Sequence, residues 1–527
     1  MIVRKNQLVI CLLFIFFICF LARILPGART IDDAYITYRY ARNIITGNGF
    51  SYNPGERVLG TTTPLYTLLM AAIGSSNLYL FQNNSVNQFP ETSLAINVLL
   101  DGVTCLMLVL IGKKANQLHV GLVTSLLWAI APFSVTFSIG GMETSLYIAL
   151  LCSGFYFYLD HKIRLCAFSL SLSLLTRPDA LIFILPIFTH YFLELIQIKK
   201  ISLKSNIFIP ASFFAIPIFI WCSFSLIYFG SPIPHSIMAK SEAYLLNPQS
   251  AFIRFLQHFA TPFMDHNWAG AIGIGIGLIL YPFLYLLGAS RSIRINKRFI
   301  TWAIYPWFYL IIFSLANPLI FRWYLSPPLP PYFFFIISGL LNIGSQLIHF
   351  IQDRLRLDKL ANLLFLPIIV YPFASTLSEW RLRTTDHGAI RPIPDMAYIE
   401  LEEQYKQAAQ FINTYTKGSS VSIAAGDIGV LGFYTRGRIL DTVGLISPVT
   451  LHYYPLDPSV YAINYAIPSQ LILDQLPDLV VFLEIYGRNT LLLEPKFLGK
   501  YNHIFTIESM MYGSKGLLIY AINPNKN

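Results

Sequence analysis

The sequence predicts an α-helical polytopic membrane protein of about eleven spans with a small C-terminal α/β domain on the outer face. Three observations predict it. Of the 527 residues, 55% are hydrophobic and only 12% charged, with a mean hydropathy of +0.56, whereas a soluble domain carries about 25% charged residues. Apolar runs recur up to residue 377, and a bilayer core of about 30 Å takes about 20 helical residues. From residue 378 the chain turns mixed polar and apolar, with no run of span length. The expected organisation is a membrane domain over 1–377, with a first outer loop at 26–91, and an outer α/β domain over 378–527.

The apolar runs place spans near 7–25, 92–111, 118–137, 144–160, 164–176, 180–197, 206–229, 269–289, 299–316, 332–350 and 360–377. Residues 64–74 are apolar but short and read as an interfacial or re-entrant helix, because a full span there would invert every later loop. Arg4 and Lys5 before an apolar core resemble a signal peptide, but Ala22-Arg23-Ile24-Leu25-Pro26 is a poor small-x-small cleavage site, so a retained span is expected. With the N-terminus cytoplasmic, the inner loops hold Lys113, Lys114, Lys162, Arg164, Lys199, Lys200, Lys204, Arg291, Arg294, Lys297, Arg298, Arg354, Arg356 and Lys359. That is the positive-inside pattern. It also accounts for the net charge of +10 as loop cations, against a nucleic-acid surface. Six cysteines (Cys11, Cys19, Cys105, Cys152, Cys166 and Cys222) lie in or beside apolar runs, with neither disulfide nor zinc spacing.

In the tail, 396–416 reads as an amphipathic helix. Strand-like pieces follow at 420–425, 430–443, 478–484, 503–508 and 516–522, separated by turn residues. Gly426-Asp427-Ile428-Gly429 and Asp441-Thr442-Val443-Gly444 read as glycine-bracketed turns, neither being a nucleotide-binding motif, with an acceptor-binding role as the functional reading.

Polar chemistry concentrates on the outer face, most densely at 32–64, which opens with Asp32-Asp33 and carries Arg39, Arg42 and Arg57. If 32–45 is helical, Asp32 and Arg39 share a face and Arg42 lies one turn beyond Arg39. A carboxylate beside cations stays ionised and accepts a hydroxyl proton, and arginines suit a phosphate. The bland reading is that Asp32-Asp33 caps its own helix. Glu143 opens a span, with first-turn Glu as its bland reading. Arg177-Pro178-Asp179 is a three-residue outer turn that holds an Arg at membrane depth. His235 and Lys240 sit in a long outer loop, and Arg322 in Phe321-Arg322-Trp323-Tyr324 reads either functionally or as a snorkelling Arg in an aromatic belt. Asp101 is the one carboxylate near mid-span and weighs toward a transporter, unless it hydrogen-bonds within the bundle.

The run Asp32-Asp33-Ala34-Tyr35-Ile36-Thr37-Tyr38-Arg39-Tyr40-Ala41-Arg42-Asn43, with Gly47-Asn48-Gly49-Phe50, Asn53-Pro54-Gly55-Glu56-Arg57 and Thr63-Pro64-Leu65, resembles the GT-C glycosyltransferases that use polyprenyl-phosphate sugars. The nearest resemblance is to the mycobacterial terminal arabinofuranosyltransferase-like family. Gly141-Met142-Glu143-Thr144, Arg177-Pro178, Pro234-His235-Ser236 to Lys240, and the tail motifs at 426–429 and 441–445 extend it over nearly the whole chain. The run Leu59-Gly60-Thr61-Thr62-Thr63 departs from the Glu-Gly-Tyr-Thr-like run expected of the arabinosyl enzymes.

The resemblance implies Asp33 or Asp32 as general base on an acceptor hydroxyl, with Glu143 orienting acceptor or sugar. It implies Arg39, Arg42, Arg177, His235, Lys240 and Arg322 as the groups holding the donor phosphate. It permits a divalent cation at Asp32 and Asp33 without requiring one, and no other cofactor is expected. The expected partners are a polyprenyl-phosphate sugar, a glycan or lipid acceptor bound by the tail, and the bilayer. The favoured reading is an inverting membrane glycosyltransferase. The alternative is a transporter or flippase of lipid-linked sugars, which would carry polar groups at mid-membrane and broken helices. A ligand-binding receptor is the third reading, and it has no need of acids and bases on four outer loops.

Overall fold

The computed structural model describes residues 5–81, 88–197, 203–264, 266–350, 358–384, 390–397 and 399–523. Lys199, Lys200, Arg354 and Arg356, read above as inner-loop cations, lie outside the described residues. Helices form where the apolar runs fall. Among the described residues seven are long and apolar enough to cross a membrane: Asn6–Ile24, Phe89–Lys114, Pro178–Gln197, Ser205–Phe229, Gly270–Ile295, Phe299–Ala316 and Leu329–Ile348. The chain is thus a multi-pass membrane protein.

The run at 118–137, expected as one span, is two helices, Leu118–Ile130 and Pro132–Ile139, meeting at 49° and making an eighth crossing if taken together. The runs at 144–160 and 164–176 give the shorter apolar helices Thr144–Leu159 and Ile163–Thr176, and 358–378 is also helical. Length and composition alone mark seven or eight crossings among the described residues, and the other expected spans at 144–160, 164–176 and 360–377 are helical too. The helix expected over 64–74 extends over Pro64–Phe81.

The chain forms two compact units. The first comprises Met1–Arg29, Ser93–Phe219 and Gln249–Ala397. Its core is aromatic: Phe155 stacks on Trp302 at 4.7 Å and Phe259 on Tyr332 at 4.7 Å. The helices His266–Ile295 and Leu329–Phe350 approach so closely that a Cβ on Gly339 would lie 2.0 Å from the Leu284 carbonyl oxygen. Small residues permit such backbone approach where lipid supplies no hydrophobic drive between helices.

The break at Ala131 follows from Pro132, which disfavours helical backbone in the residue before it; Ala131 is extended at φ −61°, ψ 129°. Two carbonyls near the break accept side-chain donors, Ala129 from Arg23 Nη1 at 2.8 Å and Ile130 from Trp380 Nε1 at 3.0 Å. Arg23 also donates to Asp101 Oδ2 at 2.7 Å, Ser134 Oγ at 2.6 Å and Ser138 Oγ at 3.2 Å. Asp101 is therefore the counter-ion of the arginine that satisfies the broken helix, and both are fully buried. A two-stranded antiparallel hairpin, β1 (Trp380–Thr384) and β2 (Ile390–Pro394), completes this unit; the sequence reading places no strand there.

The second unit comprises Thr30–Thr92, Ile220–Pro248 and Tyr398–Asn527. Its sheet has the order β4-β3-β5-β7-β6, from β3 (Ser422–Ala425), β4 (Arg438–Asp441), β5 (Leu479–Leu483), β6 (Tyr501–Ile507) and β7 (Leu517–Ile522). β4, β3 and β5 run parallel, and β7 and β6 add antiparallel. β5 is buried at every residue, as a central strand covered on both faces requires. The amphipathic helix forms at Glu400–Tyr415. Residues 430–443, expected as one strand, are instead the helix Gly429–Tyr434 followed by β4.

Candidate active site

The segment 32–64 is knitted into the sheet of the second unit, and that accounts for most of its polar residues. Asn53 acts as an extra rung on the edge strand β4: its Oδ1 accepts from the Ile439 N–H at 3.0 Å and its Nδ2 donates to the Ile439 carbonyl at 2.9 Å. Glu56 pairs with Arg438 at 2.5 Å. Arg39 is buried, and its guanidinium donates to the carbonyls of Tyr52 (2.9 Å), Gly432 (2.5 Å) and Gly437 (3.0 Å) and to Asn53 Oδ1 (3.3 Å) while lying over the Tyr52 ring. Arg42 donates to the Phe433 carbonyl at 2.7 Å and lies over that residue's ring, and burial with the neighbouring Arg39 charge pulls it down to about 10. A phosphate at Arg39 would have to displace three backbone partners.

The helix Asp32–Ile45 begins as predicted, but neither aspartate caps it. Its own first N–H, on Asp32, donates to Glu402 Oε1 at 3.2 Å. The Asp32 carboxylate instead accepts from the N–H groups of Gly429 (2.9 Å) and Val430 (2.7 Å), at the start of the helix Gly429–Tyr434. The approach is close: a Cβ on Gly429 would lie 1.8 Å from the Asp32 carbonyl oxygen. Burial and the charge of Asp427 push the Asp32 carboxyl up, against the pull of the two N–H groups.

Asp33 differs from its neighbour. Its side chain is 32% exposed, and Oδ2 lies 3.9 Å from Lys240 Nζ on the helix His235–Ala243. Other ionisable groups belong to the same unit, and the Asp33 charge biases Asp427 and Glu402 among them. Asp427 accepts from Tyr405 Oη at 2.8 Å, and burial together with the Asp33 charge pushes it up to about 6. Glu402 is pushed up to about 7, by burial first and then by Asp427 and Asp33. Asp441 is a turn-closing residue: its carboxylate accepts from the N–H groups of Val443 (2.8 Å) and Ile446 (3.1 Å), and burial pushes it up to about 6. The backbone N–H of His235 donates to the Leu59 carbonyl at 2.8 Å, and burial lowers its imidazole below the ordinary value.

Glu402 is the residue the sequence reading misses. It stands on the amphipathic helix among other acids, where a solvated face is the natural reading. Among the described residues no three of His, Cys, Asp or Glu are grouped as metal ligands. Asp32, moreover, turns both its oxygens to backbone N–H groups.

In the first unit, Arg177 forms a two-pronged pair with Asp179, Nε–Oδ1 at 3.0 Å and Nη2–Oδ2 at 3.1 Å, and lies 3.6 Å from Glu143. Tyr309 Oη donates to Asp179 at 2.8 Å, and the guanidinium lies over the rings of Tyr147 and Tyr324. All of this holds Arg177 as the hub of a buried network rather than as a loose cation. Arg322 lines a cavity of about 210 Å³ with Arg254, Gln257, His258 and Glu379, so its surroundings are a polar recess and not an aromatic belt alone.

Over residues 395–520 the chain matches a family described as a domain of unknown function (DUF8728). No curated protein matches it in sequence. Solved structures match along its whole length. ArnT from Cupriavidus metallidurans, bound to undecaprenyl phosphate, is 11% identical with a TM-score of 0.57, covering 99% of both chains. The oligosaccharyltransferase of Archaeoglobus fulgidus, in complex with zinc and sulfate, is 14% identical with a TM-score of 0.54, covering 98% of this chain and 74% of that one. The same organism's AglB, in complex with an inhibitory peptide and a dolichol-phosphate, is 12% identical with a TM-score of 0.55, covering 99% and 74%. At such identities the likeness is one of fold, and the chain has the GT-C membrane fold that its first outer segment resembles.

Proposed function

We propose that the chain is an inverting glycosyltransferase that moves a sugar from a polyprenyl-phosphate donor to a glycan or lipid acceptor outside the cytoplasm. The observation that carries this reading is the contrast between the two adjacent aspartates. Asp32 holds two backbone N–H groups, whereas Asp33 is partly exposed beside Lys240. Asp33 is the base: it takes the proton of the acceptor hydroxyl as that oxygen attacks the anomeric carbon. The bond from that carbon to the phosphate oxygen breaks, and the sugar inverts. Lys240, 3.9 Å from Asp33, offers a cation to the negative charge that grows on the departing phosphate.

The fold supports a lipid-phosphate donor, because ArnT and AglB were solved with undecaprenyl phosphate and dolichol-phosphate. Of the groups the resemblance assigns to the donor, Lys240 stands beside the proposed base, whereas the guanidiniums of Arg39 and Arg177 bind carbonyls and Asp179. Glu143 orients acceptor or sugar through its pairing with Arg177, and the tail from 378 binds the acceptor. The N-terminus lies in the cytoplasm and the tail outside, as the loop cations direct. Asp101 lends a transporter no support, because it is neutralised by Arg23.

The test is transfer from a radiolabelled panel of polyprenyl-phosphate sugars in membranes containing the wild type or Asp33→Asn at equal protein level. One donor consumed by the wild type alone supports the reading. Equal consumption by both variants refutes the assignment of Asp33.

A further inference from the structure

Two cavities of the first unit meet around the turn between the helices Thr144–Leu159 and Ile163–Thr176. One, of about 370 Å³, is mixed in character and carries the polar side chains of His161, Lys162, Arg164, Tyr191, Ser205 and Asn206. The other, of about 390 Å³, is apolar, walled by Cys166, Ile187, Phe188, Ala211 and Phe214. They share Ile163, Tyr191, Asn206 and Pro210 as a common wall. Lys162 pairs with Asp160 at 2.8 Å, and Lys114 pairs with the same carboxylate, so Asp160 is already neutralised. Arg164 is exposed and makes no ion pair among the described residues.

The backbone between the cavities is irregular. Residues Leu203–Phe208 form a π-helical turn, and Tyr191 Oη donates to the Asn206 carbonyl at 2.8 Å, pinning that turn to the neighbouring helix. Such wide turns inside helices recur at functional sites.

We propose that this pair of cavities is a binding site for an anionic phospholipid of the bilayer, with the phosphate at Arg164 and Lys162 and one acyl chain in the apolar cavity. A lipid joins charge and hydrocarbon covalently, which is the pairing the shared wall presents. A free phosphate leaves the apolar half empty. A zwitterionic lipid brings its own cation to Arg164 and gains less. Basic recesses between membrane helices hold anionic headgroups on this principle. The site is independent of the glycosyltransferase reading, and no residue assigned to sugar transfer lines it.

The test is native mass spectrometry of the detergent-purified full-length protein titrated with phosphatidylglycerol or phosphatidylcholine of identical chains. One unpaired cation near the membrane surface is expected to give phosphatidylglycerol about a five-fold preference. Arg164→Gln, an exposed substitution, removes that preference with the thermal midpoint unchanged. Ala211→Trp, which fills the apolar half, lowers retention of both lipids. Equal retention of the two lipids by the wild type overturns the proposal. So does a preference that survives Arg164→Gln, or displacement of phosphatidylglycerol by inorganic phosphate at equal concentration.

Discussion

Substituting each of the two adjacent aspartates by asparagine separates catalysis from architecture. Asp33 is partly exposed and makes no bond on which the sheet depends, so Asp33→Asn is expected to change stability by no more than about 0.5 kcal/mol. Removing a general base costs about 10²–10⁴ in rate. Asp32 accepts two backbone N–H groups at 2.9 and 2.7 Å. An asparagine keeps one acceptor and turns an N–H toward the other donor, leaving a buried group unmatched at a cost of about 1–3 kcal/mol. Because burial already disfavours the Asp32 charge, the neutral side chain recovers part of that loss, and about 1–2 kcal/mol of destabilisation is expected. The assay is initial transfer rate per folded molecule in proteoliposomes, with thermal unfolding of the same preparations. Asp33→Asn should lose rate and keep its melting midpoint, and Asp32→Asn should do the reverse. If Asp32→Asn abolishes transfer while folding normally and Asp33→Asn is active, the argument from hydrogen-bond occupancy is wrong.

Three further outcomes follow from the same geometry. Glu402 has its folded value raised from 4.5 to about 7, so the folded state binds the extra proton and this contribution is complete below the unfolded value. Stability should fall by about 2 kcal/mol as pH rises from about 4.5 to 7, a figure reduced for partial exposure, and Glu402→Gln should flatten that slope in melting curves. Arg39→Lys keeps the charge but lacks the planar fork, leaving carbonyls of Gly432 and Gly437 unmatched. A loss of about 3 kcal/mol with unchanged donor KM is expected, and a raised KM with an unchanged melting midpoint would restore Arg39 as a donor ligand. Asp101→Asn strands the buried Arg23 charge and should cost about 3–5 kcal/mol, read as a lowered melting midpoint in detergent.

The sequence by itself determined the class of fold, because apolar runs in a chain with so few charges have few stable arrangements other than helices across a bilayer. It determined most of the tail as well: the helix at 400–415 and the strands at 422–425, 479–483, 501–507 and 517–522 fall where periodicity places them. It also singled out 32–64 as the segment with unusual chemistry. Spacing along one helix cannot tell which polar groups are already bound, since their partners lie about 400 residues away. Arg39 reads as a phosphate ligand until the carbonyls of Gly432 and Gly437 occupy it. Asp32 reads as the cap of its own helix until the N–H groups of Gly429 and Val430 claim it. Glu402 reads as a solvated acid until it meets the N-terminus of the helix Asp32–Ile45. The turn at Pro132 is local chemistry that proline sets, but Arg23 and Trp380 reach the carbonyls near the break only in the folded chain. Local sequence sets helix and strand through short-range sterics and periodicity. Hydrogen-bond occupancy and desolvation depend on residues far apart in sequence, so only the tertiary structure decided which polar residues were left open for chemistry.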